Sequence, residues 1–439
     1  MNLSLEQEVA LQNYKEGKNI FLTGPGGSGK TELIRRMVAY SQEQGKKIQV
    51  CALTGCAAIL LQCKAKTIHS FAGIGLANGT VDEVVRKVIS NKYKTKNWTG
   101  INTLIIDEVS MMSLKLFDIL DYIARRTRKN INAPFGGIQV VFSGDFYQLP
   151  PVGTYGQEDT SAFCFESENW AKTFDAVILL KTIFRQSDSD YTTILNQVRV
   201  GKLYKSSFDK LQQHINKPIP ETGFKPTILL PRRKDAELIN ADELKKLQGE
   251  SKAYKISQAT ITPVNEKDIK LNVSNQFSGE QRETEYNFLV NNIMADKEIV
   301  IKIGTQVMCI ANIDMESSEQ VVNGSQGVVV GFVGELPLVQ FNNGPRRTVG
   351  YHVWPSEVIP NLGVKQLPLI YAWAITIHKS QGVSLDMAQI DAGSNIFECG
   401  QTYVALSRVK SLHGLYLTAL NPQRIKVNKK VQDFYTGLQ

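Results

Sequence analysis

Short apolar runs recur through the first part of the chain, and helical patterns separate them. Ile20–Thr23 is such a run; it stops at glycines, and Leu33, Ile34, Met37 and Val38 then follow at helical spacing. Further buried strands are predicted at residues 48–53, 104–106, 138–142 and 177–180. Continuous apolar runs between helices are typical of parallel sheets, so the pattern predicts an α/β fold.

A second α/β set follows, with a predicted strand at 227–230 and a predicted helix at 234–247. Two more strands are predicted at 388–390 and 415–417. The region between the strands at 227–230 and 388–390 has a different sequence pattern. There, the turn signals Asn323-Gly324 and Asn343-Gly344 separate short strand-like runs. These runs are residues 306–310, 327–333, 338–341 and 348–353. We therefore expect a small β-barrel inserted into the second α/β domain.

Length and composition set broad limits. A chain of 439 residues is too long for one core, so two to four domains are expected. The net charge of +8 permits a polyanionic partner without requiring one.

No apolar run is long enough for a membrane span, so no membrane association is expected. The polar, acidic start resembles neither a secretion signal nor a transit peptide. We expect an intracellular, cytosol-like location, with nucleus, mitochondrion and viral factory left open. The six cysteines include no C-x-x-C pair, which argues against a zinc or redox motif.

The segment after the first strand carries the clearest chemical signal. It matches G-x-x-x-x-G-K-[ST] and lies between a strand and an amphipathic helix. Its residues are Gly24, Pro25, Gly26, Gly27, Ser28, Gly29, Lys30 and Thr31. The glycines let backbone N–H groups surround phosphate oxygens, and the helix N-terminus attracts the same anion. Lys30 is expected to reach the β- and γ-phosphates, and the Thr31 hydroxyl to bind Mg²⁺.

Two adjacent carboxylates follow the apolar run at 104–106. In an open α/β sheet, ligands bind at the carboxyl ends of the strands. Asp107 is expected to hold Mg²⁺, directly or through water. Glu108 is expected to act as the base that activates the attacking water. The pattern therefore predicts a nucleoside triphosphatase.

Three polar side chains are candidates for sensing the γ-phosphate. Gln148 follows another buried strand, Arg185 follows a further one, and Arg408 lies in the second α/β half. Arginines in both halves favour a nucleotide held between two domains, where they would neutralise transition-state charge. The alternative for any single arginine is a surface ion pair.

Several further segments occur in one order along nearly the whole chain. They are Gln7, residues 52–58, 67–71, 107–111, 144–151 and 184–188, Val198-Arg199, and residues 374–382 and 403–408. Taken together, these motifs resemble superfamily 1 DNA helicases of the Pif type, which are related to the RecD and Dda helicases.

The resemblance implies an ATP-dependent 5′→3′ DNA helicase or translocase that uses ATP and Mg²⁺. It implies single-stranded DNA and forked or tailed duplexes as partners, and a chain close to a bare, monomeric helicase core. Gln7 would read the adenine. The implied DNA contacts are Thr54, Gly55, His69, Ser70, Phe71, His378, Lys379 and Ser380. Stacking on a base is expected from His69 before Phe71, and core packing is the alternative for both.

The resemblance also implies a domain plan with two RecA-like P-loop NTPase domains. The first comprises residues 1–72 and 99–195, with a wedge insertion at 73–98. The second comprises residues 196–303 and 365–439, with an SH3-like β-barrel insertion at 304–364.

Two other functions stay open at this point. A translocase that displaces proteins but unwinds poorly has the same motifs. A P-loop switch or transporter ATPase is disfavoured because the segments L-S-G-G-Q and N-K-x-D are absent.

Overall fold

The structure is a computed structural model. It describes residues 3–61, 63, 65–186, 188–219, 224–261, 277–313, 321–342, 344, 346–356, 359 and 361–438. Ser187 and Asn343, which belong to predicted segments, lie outside the described residues, as does the side chain of Cys56.

The strands of the described residues are listed here in chain order. They are β1 (Ile20–Thr23), β2 (Ile48–Ala52), β3 (Lys66–Thr67), β4 (Thr103–Asp107), β5 (Gln139–Gly144), β6 (Ala176–Leu179), β7 (Thr227–Leu230), β8 (Ser251–Lys255), β9 (Ser257–Thr260), β10 (Glu298–Lys302), β11 (Gln306–Cys309), β12 (Gln326–Val333), β13 (Leu336–Phe341), β14 (Arg346–Thr348), β15 (His352–Pro355), β16 (Leu362–Gln366), β17 (Leu369–Tyr371), β18 (Ala374–Thr376), β19 (Ala388–Ala392) and β20 (Leu415–Leu420).

The α-helices of the described residues follow the same order. They are α1 (Leu5–Lys15), α2 (Lys30–Glu43), α3 (Gly55–Leu61), α4 (Ile68–Ala72), α5 (Val81–Ile89), α6 (Lys92–Thr99), α7 (Leu114–Thr127), α8 (Trp170–Thr173), α9 (Ser189–Arg199), α10 (Lys205–Gln212), α11 (Arg233–Lys246), α12 (Gly279–Asn292), α13 (Gln401–Leu406) and α14 (Lys429–Thr436).

The chain forms two compact units. The first comprises residues 1–213, 392–412 and 420–439, and the second comprises residues 214–391 and 413–419. The predicted plan placed all of 365–439 in the second domain. The structure instead groups α13 and α14 with the first unit, because both pack among its elements.

The first unit is built on a parallel sheet in the order β3-β2-β4-β5-β1-β6. Its central strands are buried along their whole length, which explains their unbroken apolar sequences. The parallel arrangement brings the carboxyl ends of β1, β4 and β5 to one edge of the sheet. The α/β prediction is confirmed for this unit.

The segment predicted as a wedge insertion, 73–98, contains α5 and most of α6. Val84, Val85 and Val88 of α5 are buried, and so is Trp98 of α6. These four side chains belong to the same core cluster as β4 and β5. The inner faces of both helices are therefore part of the first unit's core.

The second unit contains a sheet in the order β18-β7-β19-β20, in which β7 pairs in parallel with β18 and β19. A five-stranded antiparallel sheet has the order β14-β13-β12-β11-β17. The predicted strand at 348–353 is wrong, because β14 and β15 lie there in two different sheets. Strand β17 completes the five-stranded sheet although it lies beyond the predicted insertion at 304–364. Within the described residues, we find no helix that is both apolar and long enough to cross a lipid bilayer.

Candidate functional site

The loop Gly24–Gly29 connects β1 to α2 in the first unit. Gly29 precedes α2 in a left-handed conformation and provides no side-chain cap, so the first N–H groups of the helix keep their capacity for an anion. Gly27 has φ +82°, and a Cβ there would lie 2.5 Å from Cβ of Arg185. A Cβ on Gly29 would lie 2.5 Å from Nε2 of Gln7. These two glycines therefore let Arg185 and Gln7 pack directly on the loop.

Gln7 is fixed at this loop by both ends of its side chain. Its Oε1 accepts from the N–H of Ser4 at 2.9 Å, which forms the capping box of α1. Its Nε2 donates to the carbonyls of Ser28 at 3.2 Å and Gly29 at 3.4 Å. The ring of Phe184 also lies beside Gly29. The predicted adenine-reading residue thus lies at the loop, next to an aromatic ring that we did not assign from the sequence.

Lys30 turns back onto the loop that precedes it. Its ammonium donates to the carbonyls of Gly24 at 2.8 Å and Pro25 at 3.0 Å. Burial lowers the pKa of Lys30, while the nearby carboxylates of Asp145, Glu108 and Asp107 oppose that shift. A cation already surrounded by the phosphate loop is suited to move onto a phosphate oxygen. Thr31 follows on the first turn of α2.

Asp107 and Glu108 lie at the carboxyl end of β4, as predicted. Burial, followed by the neighbouring charge of Glu108, raises the pKa of Asp107 to about 6. Glu108 has φ +58° and ψ +39°, a left-handed backbone that is uncommon outside glycine. Such strain is often found at functional sites, where the surrounding fold fixes a side chain's direction.

Arg185 and Arg408 lie near one another and near the loop. Arg185 donates to the carbonyl of Ser407 at 3.1 Å, and Arg408 donates to Oγ of Ser407 at 2.9 Å. Burial, followed by the charge of Arg185, lowers the pKa of Arg408 to about 9. Among the described residues, neither guanidinium has a carboxylate within 4.0 Å. Two guanidinium groups thus lie together without a direct ion pair among the described residues, although the more distant charge of Glu108 favours the charged form of both.

The sequence did not single out Tyr403, but it contacts the loop directly. Its hydroxyl accepts from the N–H of Gly26 at 2.8 Å. Oγ of Ser407 and Nη2 of Arg408 lie 3.6 Å and 3.7 Å from the Cβ position of Gly26. Helix α13 and the residues after it therefore lie against the phosphate loop within the first unit. Arg408, expected on the second domain, belongs to this unit.

Gln148 lies in the segment after β5. It is buried, and its Oε1 finds no hydrogen-bond partner in the described part of the chain. Gln186, which we did not predict, is also buried with an unpartnered Oε1, while its Nε2 donates to the carbonyls of Ser407 and Val409. Buried polar atoms are normally hydrogen-bonded, so these oxygens and Oγ of Ser28 suggest partners supplied by ligand or water.

Contacts that sequence reasoning did not predict stabilise this segment. Asp145 accepts two hydrogen bonds from Arg199, at 3.0 Å and 2.8 Å. The rings of Tyr147 and Tyr435 stack with centroids 4.6 Å apart. Tyr435 belongs to α14, about 290 residues further along the chain. No local pattern links these positions, so the sequence alone carried no signal for their contact.

The predicted DNA contacts of the first unit lie after β2 and on α4. Oγ1 of Thr54 accepts from the N–H of Ala57, and Gly55 is the first residue of α3. His69 and Ser70 lie on α4 and are half-buried. The structure corrects the prediction for Phe71: its buried ring packs on Trp98 at a centroid distance of 5.0 Å. Phe71 is a core residue and does not present a face to a base.

The predicted contacts of the second unit follow β18. His378 and Lys379 are half-buried. Ser380 is fully buried, and its hydroxyl donates to the carbonyl of Ile377 at 2.7 Å. The DNA contact that the resemblance implied for Ser380 is corrected for its side chain, which is fully buried and donates within its own turn.

Comparison with known proteins places these features in a family. Residues 2–207 match the family model "PIF1-like helicase", and residues 286–332 match "DNA helicase Pif1, 2B domain". The chain is 36% identical to the ATP-dependent DNA helicase PIF1 of Danio rerio over 442 residues, which cover 100% of this chain and 64% of the relative. The chain spans 62–65% of the length of the first curated relatives that it matches.

Two solved structures extend the similarity. The Pif1 helicase from Candida albicans has a TM-score of 0.76 and 34% identity, and the match covers 100% of both chains. The Pif1 helicase from Bacteroides in complex with ADP-AlF3 and ssDNA has a TM-score of 0.66 and 26% identity, covering 100% of this chain and 97% of that one. These matches confirm an α/β fold with two RecA-like domains.

Proposed function

Because the chain belongs to the PIF1-like helicase family, we propose that it is an ATP-dependent 5′→3′ DNA helicase. In this proposal, ATP hydrolysis drives movement along single-stranded DNA and unwinding of duplex DNA. The observation that carries it is the pair Arg185 and Arg408, held beside the phosphate loop without a carboxylate partner among the described residues. Such a cationic pair requires an anion, and a nucleoside triphosphate on Gly24–Thr31 supplies one.

The residues at the loop fit a triphosphate and a metal ion. Lys30 and the free N–H groups of α2 would bind phosphate oxygens. Thr31 and Asp107 would hold Mg²⁺, which neutralises phosphate charge when bound. Among the described residues no cluster of three or more His, Cys, Asp or Glu side chains forms a metal site. Mg²⁺ keeps several waters and is bound by few carboxylates together with substrate phosphates, so one carboxylate and one hydroxyl can hold it.

The remaining side chains would act on the reaction itself. Glu108 would orient and deprotonate the attacking water from its left-handed backbone position at the end of β4. Nε2 of Gln148 would donate to the γ-phosphate. Alternatively, its unpartnered Oε1 would accept a hydrogen bond from the attacking water. Arg185 and Arg408 would stabilise transition-state charge, an effect worth roughly 10³- to 10⁵-fold in rate.

The proposed DNA contacts are distributed over both units. Thr54, Gly55, His69 and Ser70 would serve on the first unit, and His378 and Lys379 on the second. The Bacteroides relative's complex with ssDNA supports single-stranded DNA as the ligand. The net charge of +8 also favours a polyanion. We further propose forked or tailed duplexes as substrates, residues 73–98 as the wedge, and a monomer as the active form.

Strand separation on two matched substrates tests the proposal. A duplex with a 5′ single-stranded tail should be unwound in the presence of ATP and Mg²⁺, and the same duplex with a 3′ tail should not. Lys30→Ala should abolish unwinding and ATP hydrolysis on both. Equal unwinding of the two substrates would contradict the polarity, and normal unwinding by Lys30→Ala would contradict the assignment of the loop. Light scattering with and without DNA would test the monomer.

A further inference from the structure

A cavity of about 220 Å³ lies in the first unit, away from the phosphate loop. Its lining includes Thr54 and His69, two of the proposed DNA contacts, and Met111 from the turn after β4. Pro151 and Val152, from the segment after β5, also line it. None of the nucleotide-site residues takes part, so the cavity is a separate feature.

Hydrogen bonds hold the segment 151–160 against its neighbours. Nε2 of Gln157 donates to Oδ1 of Asn78 at 2.8 Å, and Nζ of Lys115 donates to Oε1 of Gln157 at 2.6 Å. Within the segment, the N–H of Thr154 donates to Oγ1 of Thr160 at 2.8 Å. These hydrogen bonds link two walls of the cavity to each other and to α7, so the fold itself holds the walls in place.

The cavity contains one buried positive charge. Lys115 is 7% exposed, and the partner of its ammonium is the neutral amide of Gln157. No carboxylate lies within 4.0 Å of that ammonium among the residues described. A buried cation attracts hydrogen-bond acceptors, such as the carbonyl oxygens on the edge of a base.

The rest of the lining is mixed, with polar side chains such as Ser113 and Thr160 beside apolar ones such as Leu76 and Val152. Leu76 and Val152 are 85% and 73% exposed, so their side chains are open to a ligand from solution. Burial lowers the pKa of His69, so its ring is neutral at pH 7 and offers a flat face. The volume is below the ~300–1,000 Å³ of pockets that hold drug-sized ligands, so it suits a single ring system.

We propose that this cavity takes one nucleobase of the bound single strand. A flat ring with polar edges matches the apolar walls, the imidazole of His69 and the ammonium of Lys115. The inference rests on the proposed DNA-binding function, because the strand must already lie along Thr54 and His69. A base held here fixes the register of the strand on the first unit, whereas phosphate contacts alone let it slide.

An abasic scan tests the proposal. The wild-type protein is bound to a duplex with a single-stranded tail, without ATP, and each tail nucleotide in turn is replaced by an abasic one. The duplex junction fixes the register. Loss of one stacked base should weaken binding roughly tenfold at a single position and only slightly elsewhere.

A protein variant then assigns that position to the cavity. The double variant Leu76→Ala/Val152→Ala removes exposed apolar walls at little cost in stability. Its matched control is Leu5→Ala/Ile131→Ala, which truncates side chains that are 75% and 68% exposed elsewhere in the same unit. In the cavity variant, the abasic substitution should cost less than about threefold, because the contact is already lost. In the control it should keep its full effect.

The outcomes separate this inference from the function on which it rests. If the wild-type protein does not bind the tailed duplex, the proposed function fails and the role of the cavity fails with it. If the protein binds but the scan shows no sensitive position, the cavity does not take a base. The cavity also does not take a base if the fold-loss in binding from the abasic substitution is the same in the cavity variant as in the wild type.

Discussion

The phenolic oxygen of Tyr435 lies 2.6 Å from Oγ1 of Thr23, the last residue of β1. The same hydroxyl accepts from the N–H of Phe146 at 3.2 Å and donates to Oδ1 of Asp145 at 3.4 Å. One side chain of α14 therefore joins the strand before the phosphate loop to the segment that carries Gln148.

Replacing Tyr435 by Phe should affect turnover as well as stability. The ring stack on Tyr147 is kept, but the N–H of Phe146 loses its acceptor, which should lower the free energy of unfolding by about 1 kcal/mol. Because the segment with Gln148 loosens, kcat for ATP hydrolysis should fall by up to about tenfold, with KM for ATP little changed. Steady-state kinetics and urea unfolding measure the two effects.

Tyr14→Phe is the control for that variant. The hydroxyl of Tyr14 is also buried and also bonds a hydroxyl, Oγ of Ser41 at 2.5 Å, but far from Gln148 along the chain. It should lose similar stability and keep its kcat. An equal fall in kcat for both variants would show that Tyr435 acts through stability alone.

The ion pair between Asp145 and Arg199 should be costly to break. The two side chains are 0% and 12% exposed, so Asp145→Asn leaves a buried guanidinium without its counter-charge. The free energy of unfolding should fall by about 3–5 kcal/mol. Asp82→Asn, which breaks an exposed pair with Arg126 at 3.6 Å, should change it by less than about 1 kcal/mol. Thermal denaturation of the two variants in parallel measures both losses of stability. Losses of similar size would contradict the prediction that the buried pair is the costly one to break.

Gly27→Ala should disable the loop for a reason that goes beyond backbone strain. Gly17 has the same φ of +82° but open space around it, whereas a Cβ on Gly27 meets Arg185 at 2.5 Å. Both substitutions should cost about 1–2 kcal/mol through the left-handed backbone. Gly27→Ala should also displace Arg185 and reduce ATP hydrolysis strongly, while Gly17→Ala hydrolyses ATP normally. Loss of activity in both variants would point to a general folding defect.

The pH dependence of stability should carry a contribution from His69. Burial lowers its pKa in the folded state below the ordinary value of about 6.5. As the pH falls below about 6.5, the unfolded chain binds a proton that the folded protein resists, so stability is full above this pH and declines below it. His69→Gln should therefore lose less stability than the wild type between pH 7.5 and pH 5.5. Burial also lowers the pKa values of His214 and His352, and their contributions to the pH dependence of stability remain in the His69→Gln variant. Urea titrations at the two pH values measure the difference, and an unchanged pH dependence would contradict it.

Much of the sheet architecture was predictable because buried parallel strands have unbroken apolar sequences. The predicted run Ile20–Thr23 is β1 as observed, and the run at 104–106 lies within β4. The phosphate loop was equally clear, since its chemistry is local: glycines, a lysine and a hydroxyl at fixed spacing. Gln7 required the family resemblance, and the structure then brought its side chain to Gly29.

The parts that sequence reasoning missed depend on contacts between distant segments. Tyr403 reaches Gly26 across 377 positions, and Tyr435 reaches Thr23 across 412. Neither the periodicity of the sequence nor the spacing of its motifs predicts these long-range hydrogen bonds. Phe71 shows the opposite error, because the family resemblance implied a DNA contact and the side chain proved to be in the core. The strands β8, β9 and β16 were also missed, since their alternating or mixed sequences lack a continuous apolar run. Strand β10 was missed although it contains the run Ile299-Val300-Ile301.

The packing of α14 against β1 has a consequence for the order of events during synthesis. The phosphate loop is synthesised before the second unit, yet the side chain that braces its strand belongs to residues 420–439, which are also part of the first unit. Translation must pass through the whole second unit before Tyr435 exists. The strand before the phosphate loop therefore gains this hydrogen bond only after more than 400 further residues have been added.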